Sequence, residues 1–309
     1  MERVGVAQGS GAEDVAFWRP APELAPYVSG YHLYRVRAQG PEPMRDVFFP
    51  SWSLLRFAFD AEHWSLRLGR RSFSPVPLAS FMGPSSHAGY CEARSGLLVG
   101  AGVLPAGWCR LFGGDASVHA DRIVPLGAVV DDAAALQADV RAALSADGSP
   151  KAAFDRWFLR RLERSRPEHP LIAPVHALIN DPAINRTQPI AEVTGLAGRA
   201  LVTYCRTHFG FAPKLLLRRA RFLRALSVAV AVERGRWRDV AQQAGYFDGS
   251  HFLRDCHLFL DRPLGAFIDA RRGLNAASMR QRAKAPCASV QAPAAAALRR
   301  PRAGAGAAG

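Results

Sequence analysis

The second half of the chain contains one short helical pattern twice. IAEVTGL at 190–196 returns as VAQQAGY at 240–246, an offset of 50. The register then slips by one, so that at an offset of 51 Leu201 answers Phe252, Cys205 answers Cys256 and Gly210 answers Asp261. Each copy reads apolar-Ala-x-x-x-Gly-apolar, then a few polar residues, then a second amphipathic helix. This is the pattern of a helix-turn-helix unit. The small Ala lets two helices approach, and Gly195 and Gly245 supply the backbone conformation that a tight turn between them needs.

At about 100° per residue the second helix of each copy has two distinct faces. In the first copy Leu201, Cys205 and His208 share a face, opposite Arg199, Val202, Thr203 and Arg206. In the second, Phe252, Cys256 and Phe259 share a face, opposite Ser250, Leu253, Arg254 and His257. The apolar faces pack inward and leave the polar faces free to enter a major groove. The two core-facing cysteines read as small buried hydrophobes. Between the copies, a helix opening at Pro213 runs for about 18 residues, roughly 27 Å. Such a rod holds two recognition helices at a fixed separation, and equivalent major-groove faces of B-DNA recur about every 34 Å. Arg218, Arg221 and Arg224 follow one another at three-residue spacing on it. Phosphate contact and a plain solvated face both fit that spacing.

Charge divides along the chain in the same sense. Residues 1–189 hold 20 Lys and Arg against 19 Asp and Glu, residues 190–273 hold 14 against 7, and residues 274–309 hold 6 against none. A near-neutral first half joined to a basic second half points to a polyanionic partner for the second half alone, nucleic acid first. Only Lys151, Lys214 and Lys284 are lysines, so single arginines carry little weight by themselves. The five cysteines are scattered, with no C-x-x-C pair, which argues against a disulfide framework or a zinc cluster and fits the cytoplasm. No run of 18 or more uncharged apolar residues occurs, so no membrane partner is expected.

Residues 1–16 lack periodicity and read as a flexible lead-in. From Tyr27 to Val99, short β-favouring runs such as YVSGYHLYRV, SLLRFAF and GLLVGAGVL alternate with Gly, Pro and Ser. They predict an antiparallel sheet or barrel. After Pro105 come a short WCRLF turn and two helical runs, DDAAALQADVRAAL and SPKAAFDRWFLRRLERS. The expected architecture is therefore α+β: a β-rich, barrel-like domain with trailing helices at 17–165, a linker at 166–170, an all-helical domain at 171–273, and a disordered basic tail at 274–309.

Residues 171–272 resemble the AraC/XylS transcriptional regulators, whose C-terminal module is two helix-turn-helix units bridged by one long helix. In the second unit the family pattern is similar to G-[FY]-x-D-Q-S-H-F-x-R-x-F, and this chain has GYFDGSHFLRDC from Gly245 to Cys256. In the first unit, G-x-S-x-R-x-L-x-R-x-F followed by G-x-x-P appears here as GLAGRALVTYC followed by GFAP. Departures are Thr203, where an arginine often contacts DNA, Gly249 in place of Gln, Asp261 where Gly is common, and Pro263 one place early. Residues 17–165 loosely resemble the β-rich sensor domains of a subset of the family. The resemblance implies double-stranded operator DNA as partner and a small-molecule effector at the N-terminal domain, and it leaves room for a homodimer and for contact with RNA polymerase. Arg199, Thr203 and Arg206 are expected to face one groove and Ser250, His251, Arg254 and His257 the next, with Lys214 and Arg218 positioning phosphates.

Other signals are weaker. Gly100-Ala101-Gly102 is a fragment of a dinucleotide fingerprint without its third Gly or acidic partner, and no P-loop, H-E-x-x-H or G-x-S-x-G occurs. No cofactor, metal or catalytic residue is expected. Cys256-His257 lacks the flanking residues of the reactive Pro-Cys-His-Arg of DNA-repair methyl acceptors. The spacing of His32, His63, His87 and His119 does not suggest a metal site. Tyr31, Tyr34, Trp52 and Trp64 suit a core better than an effector pocket. The rival reading is an enzymatic or ligand-carrying N-terminal domain with a helical protein-docking module.

Overall fold

The computed structural model describes residues 4–8, 13–37, 40–62, 64–270, 274–275 and 278. Eleven strands are described: β1 (Val4–Gln8), β2 (Glu13–Trp18), β3 (Val28–Arg37), β4 (Met44–Phe48), β5 (Ser53–Glu62), β6 (Ser65–Leu68), β7 (Arg71–Phe73), β8 (Ala79–Met82), β9 (Gly89–Ala93), β10 (Ser95–Val103) and β11 (Ile123–Pro125). They form a seven-stranded sheet in the order β1-β2-β3-β10-β5-β8-β11 and a four-stranded sheet in the order β4-β9-β6-β7, all pairs antiparallel.

Strand alternation decides what each face of the larger sheet covers. Tyr31, Leu33, Leu55, Phe57, Val99 and Ala101 turn one way, into a core with Phe154, Trp157 and Phe158. Tyr34, Val36, Ala58 and Leu98 turn the other way, onto Trp64, Leu66 and Cys91 of the smaller sheet and its approach. Both faces of the central strands are thus buried, and the four aromatics at 31, 34, 52 and 64 belong to cores. Tyr31 stacks on Phe154 at 4.9 Å, and its hydroxyl donates to Asp155 at 2.7 Å.

Two expectations need correction. The lead-in at 1–16 contains β1 and most of β2, because β3 offers β2 a full pairing edge from Glu13 to Trp18 that no local pattern announces. The first residues of the expected disordered tail are packed: Leu274, Asn275 and Ser278 are buried. Asn275 donates its backbone N–H to Asp46 at 2.9 Å, and Ser278 Oγ lies 3.2 Å from the Tyr34 hydroxyl. Most of the tail, with Cys287, lies outside the described residues, as does His63.

After β10 the chain makes α1 (Pro105–Gly107), which runs into a π-helical turn, Trp108–Phe112, and then α2 (Ala133–Asp147) and α3 (Lys151–Glu163). The second half is helical: α4 (Ile172–Asn180), α5 (Gln188–Thr194), α6 (Gly198–Phe209), α7 (Pro213–Ala229), α8 (Trp237–Gln243), α9 (Gly249–Leu260) and α10 (Leu264–Ala270). Among the described residues no helix is long and apolar enough to cross a membrane.

The halves do not have separate cores. One apolar cluster runs from Tyr31 and Phe57 through Trp52 to Phe209, Phe211, Leu216 and Ala220 on the helical side. At a second seam, the Ala88 N–H donates to the Phe259 carbonyl at 2.8 Å, and Arg262 lies 4.0 Å over the Tyr90 ring. Gly210 caps α6 at φ 85° and sits so close to Pro84 that a Cβ would lie 2.4 Å from Pro84 Cγ. Its repeat partner Asp261 holds the same left-handed conformation at φ 56°. There the carboxylate contacts His87 Nδ1 at 3.1 Å and Arg67 at 3.7 Å, so an Asp in a glycine position serves as a contact between the halves.

Candidate nucleic-acid interface

Each repeat folds as two short helices around a glycine turn. Gly195 ends α5 at φ 66°. Gly245 follows α8 at φ 81°, with Tyr246 N–H donating to the Ala241 carbonyl and Gly245 N–H to that of Gln242, both at 3.0 Å. That pair of bonds is the Schellman arrangement, which needs a residue able to adopt positive φ. The opening of α9 is set by Asp248, whose side chain accepts from the His251 N–H at 2.8 Å. The same hydrogen bond holds the Asp248 carboxyl below the usual range.

Burial then separates the faces. Leu201, Cys205 and Phe209 of α6, and Phe252, Cys256 and Phe259 of α9, are buried. Arg199, Thr203 and Arg206 on α6, and Ser250, His251, Arg254 and His257 on α9, are all exposed. Three apolar residues share the outer side of the second unit: Leu253 is 45% exposed, Leu258 38%, and Phe247, in the turn before α9, 89%. A phenylalanine this open contributes nothing to the core. Sequence reading passed over it, since it occupies a variable place in the pattern.

Helix α7 forms the floor of a groove of about 400 Å³ between the two units. One wall is Ile184, Asn185 and Thr187 ahead of α5, and the other is Ala244 and Gly245 at the second turn. Five cations line it: Arg186, Lys214, Arg218, Arg221 and Arg224. Arg186 and Lys214 are exposed, with no side-chain partner among the described residues. Both phosphate-positioning candidates, Lys214 and Arg218, line this groove, but they differ in freedom.

Arg218 is tied down. Its Nε and Nη2 both reach Asp255 Oδ1 at 2.6 Å, while the Tyr246 hydroxyl donates to Oδ2 at 2.7 Å and Arg221 Nη2 lies 3.9 Å from Oδ2. Asp255 itself is buried, so one carboxylate fastens α9 to the rod and to its own turn. Arg224 is buried and donates to the Asn180 carbonyl at 3.3 Å. The even spacing of 218, 221 and 224 therefore conceals three different environments. Asp255 had a readable signal: it stands with Phe252, Cys256 and Phe259 at helical spacing, a carboxylate on an apolar stripe.

The histidines of the first half are dispersed. His32 lies against Tyr34, His119 against Phe81 and Trp108, and His87 on Asp261. Among the described residues no group of three or more His, Cys, Asp or Glu is placed to hold a metal.

No protein-family model matches the chain, and no curated protein sequence matches it. Solved structures of ToxT from Vibrio cholerae are similar to it across both halves. An apo variant from strain SCE256 is 11% identical, covering 79% of this chain and 97% of that one, with a TM-score of 0.44. A second ToxT structure is also 11% identical, covering 79% and 98% with a TM-score of 0.42. A third, described as bound to an unsaturated fatty acid, is 11% identical, covering 77% and 99% with a TM-score of 0.37.

Proposed function

We propose that this chain is a sequence-specific DNA-binding transcription regulator of the AraC/XylS type. In it the helical half, from about residue 171, reads two consecutive major grooves and the β-rich half senses an effector. The observation that carries the reading is the groove floored by α7: two helix-turn-helix units flank one basic channel, each with its polar face open to solvent. A duplex backbone laid along that channel meets Arg186 and Lys214, which have no internal partner to give up. Arg218 serves chiefly to hold α9, and its phosphate role is secondary. The continuous core between the halves supports the sensing part, since a change around Trp52 reaches Phe209 at the end of α6, 6.3 Å away. Free, mostly buried cysteines fit a reducing compartment, the cytoplasm.

The test is fluorescence anisotropy of the full chain on DNA from its own upstream region and on a shuffled control. Arg254→Ala is expected to cost about 1–3 kcal/mol on the preferred sequence and to relax preference at one base pair. Lys214→Ala should weaken both DNAs alike and reduce the salt slope by about 1. Equal losses on every sequence for Arg254→Ala would assign that arginine to phosphate. Equal affinity of the unaltered protein for both DNAs, with a salt slope near zero, would sink the reading altogether.

A further inference from the structure

A second cationic site lies away from the DNA-facing side, on the β-rich half. A groove of about 630 Å³, the size of a metabolite site, runs between the π-helical turn Trp108–Phe112, helix α3 and the chain leading out of it. Five arginines line it, Arg110, Arg160, Arg161, Arg164 and Arg166, against one lining carboxylate, Asp132, with Glu168 behind it accepting from the Tyr27 hydroxyl that Arg110 also reaches. Like charges so gathered repel one another unless an anion sits among them.

Two of the five are fixed in place. Arg161 lies 4.8 Å from the Trp157 ring and 5.4 Å from the Phe112 ring, and its Nε donates to the Leu111 carbonyl at 3.1 Å. Asp132 approaches it only to 3.5 Å. Burial lowers the Arg161 pKa despite Asp132 and Asp131, a sign that the charge is poorly compensated by the groups present. Arg110 lies over the Tyr27 ring at 4.9 Å and donates to Ser165 Oγ at 3.0 Å. The other three, Arg160, Arg164 and Arg166, are exposed, and their side chains have no partner among the described residues. Two preorganised guanidiniums with three free ones around them form a receptor for several negative charges held close together. The π-helical turn that builds one wall is a rare conformation, frequent at functional sites.

We propose that this groove binds a small organic anion carrying two or more negative charges, a polycarboxylate or a phosphate ester. A duplex is the poorer fit. Cys109, on the groove wall, contacts His208 Nδ1 of α6 at 3.4 Å. His208 lies about 200° around that helix from Arg206, so the groove adjoins the side of α6 turned away from the proposed reading face. That same contact connects groove and recognition helix through one pair of side chains.

Isothermal titration of the full chain with citrate, with inorganic pyrophosphate and with acetate, at matched ionic strength, tests the assignment. One saturable site per chain is expected for citrate or pyrophosphate, with acetate at least tenfold weaker. The preferred multivalent anion identifies the ligand as carboxylate or phosphate. The double variant Arg160→Ala with Arg164→Ala should lose at least tenfold in affinity, whereas Arg70→Ala, an exposed arginine on a β-turn elsewhere, should bind as the unaltered chain does. Absence of saturation with both multivalent anions would overturn the proposal, as would undiminished binding by the double variant. If the double variant binds no anion differently but loses affinity for every DNA alike, the arginines belong to a duplex path instead. The titration contains no DNA, so its result is independent of the reading of the helical half.

Discussion

Asp255→Ala should lower the stability of the protein by about 3 kcal/mol and abolish the preference of the second unit for its DNA. The carboxylate is 3% exposed and receives two guanidinium nitrogens from Arg218 and the hydroxyl of Tyr246. Breaking a buried pair by removing one partner costs about 3–5 kcal/mol, because the surviving charge stays uncompensated. Arg218 is 44% exposed and can turn to water, which places the effect at the low end of that range. Tyr246 has no such escape. Burial, and next Asp255 itself, raise its pKa, and without its acceptor the hydroxyl proton is left unpaired in the core. Arg221, lying 4.4 Å over the Tyr246 ring, also loses its counter-charge. Since these groups join α9 to α7 and to its own turn, the recognition helix is displaced as a unit. Urea unfolding with an unchanged slope measures the stability, and anisotropy on preferred and shuffled DNA measures the reading. A midpoint equal to that of the unaltered protein would show that the Asp255 cluster contributes no net stability.

How much of this was legible beforehand follows from the range of the interactions. The turns at Gly195 and Gly245 and the polar faces of α6 and α9 were readable, because each depends on residues within four or five positions. The π-helical turn was read only as a short turn, since WCRLF has no signal that separates one kind of tight helix from another. β1 and β2 were missed because their order comes from β3, a pairing partner and not a local pattern. The seam between the halves was invisible for the same reason: Arg219 meets the Ser85 carbonyl 134 residues away. Even so, one clue was available. Arg218, Arg221 and Arg224 drew notice for their spacing, while Arg219 sits among Leu216, Ala220 and Leu223, an arginine on an apolar stripe.

Arg219 leads to the second large effect, of opposite sign. Arg219→Met should stabilise the protein by about 1–2 kcal/mol, although it removes a side chain that bridges the seam. The guanidinium is wholly buried, 4.4 Å over Trp52 and 5.3 Å from the Phe211 ring, and donates from Nη1 to Ser85. Among the described residues, Nε and Nη2 find no hydrogen-bond acceptor. Burial pushes its pKa down to about 9, with only Asp121 acting in the other direction. At neutral pH the charge is present in folded and unfolded chains alike, so its desolvation is paid in full on folding. Burying a single ion still costs several kcal/mol after relaxation, and replacing even a whole buried ion pair by apolar side chains of similar volume is often neutral or stabilising by about 1–4 kcal/mol. Against it stand the lost cation–π contacts, about 2 kcal/mol when desolvated, and one unpaired carbonyl. Arg219→Ala should not show the gain, because it replaces the charge penalty with a cavity.

A pH profile gives the independent check. Burial first, and then the charge of Arg219, push His176 down to about 4 from 6.5, so between those values the unfolded chain binds the proton that the fold refuses. Stability is therefore complete above pH 6.5 and falls as pH drops toward 4, by on the order of 3 kcal/mol. With Arg219 replaced by Met, His176 moves only part of the way back, since burial is the larger cause, and that acid limb becomes shallower. A variant less stable than the parent, with its acid limb unchanged, would mean that ring stacking around Arg219 outweighs the burial of its charge.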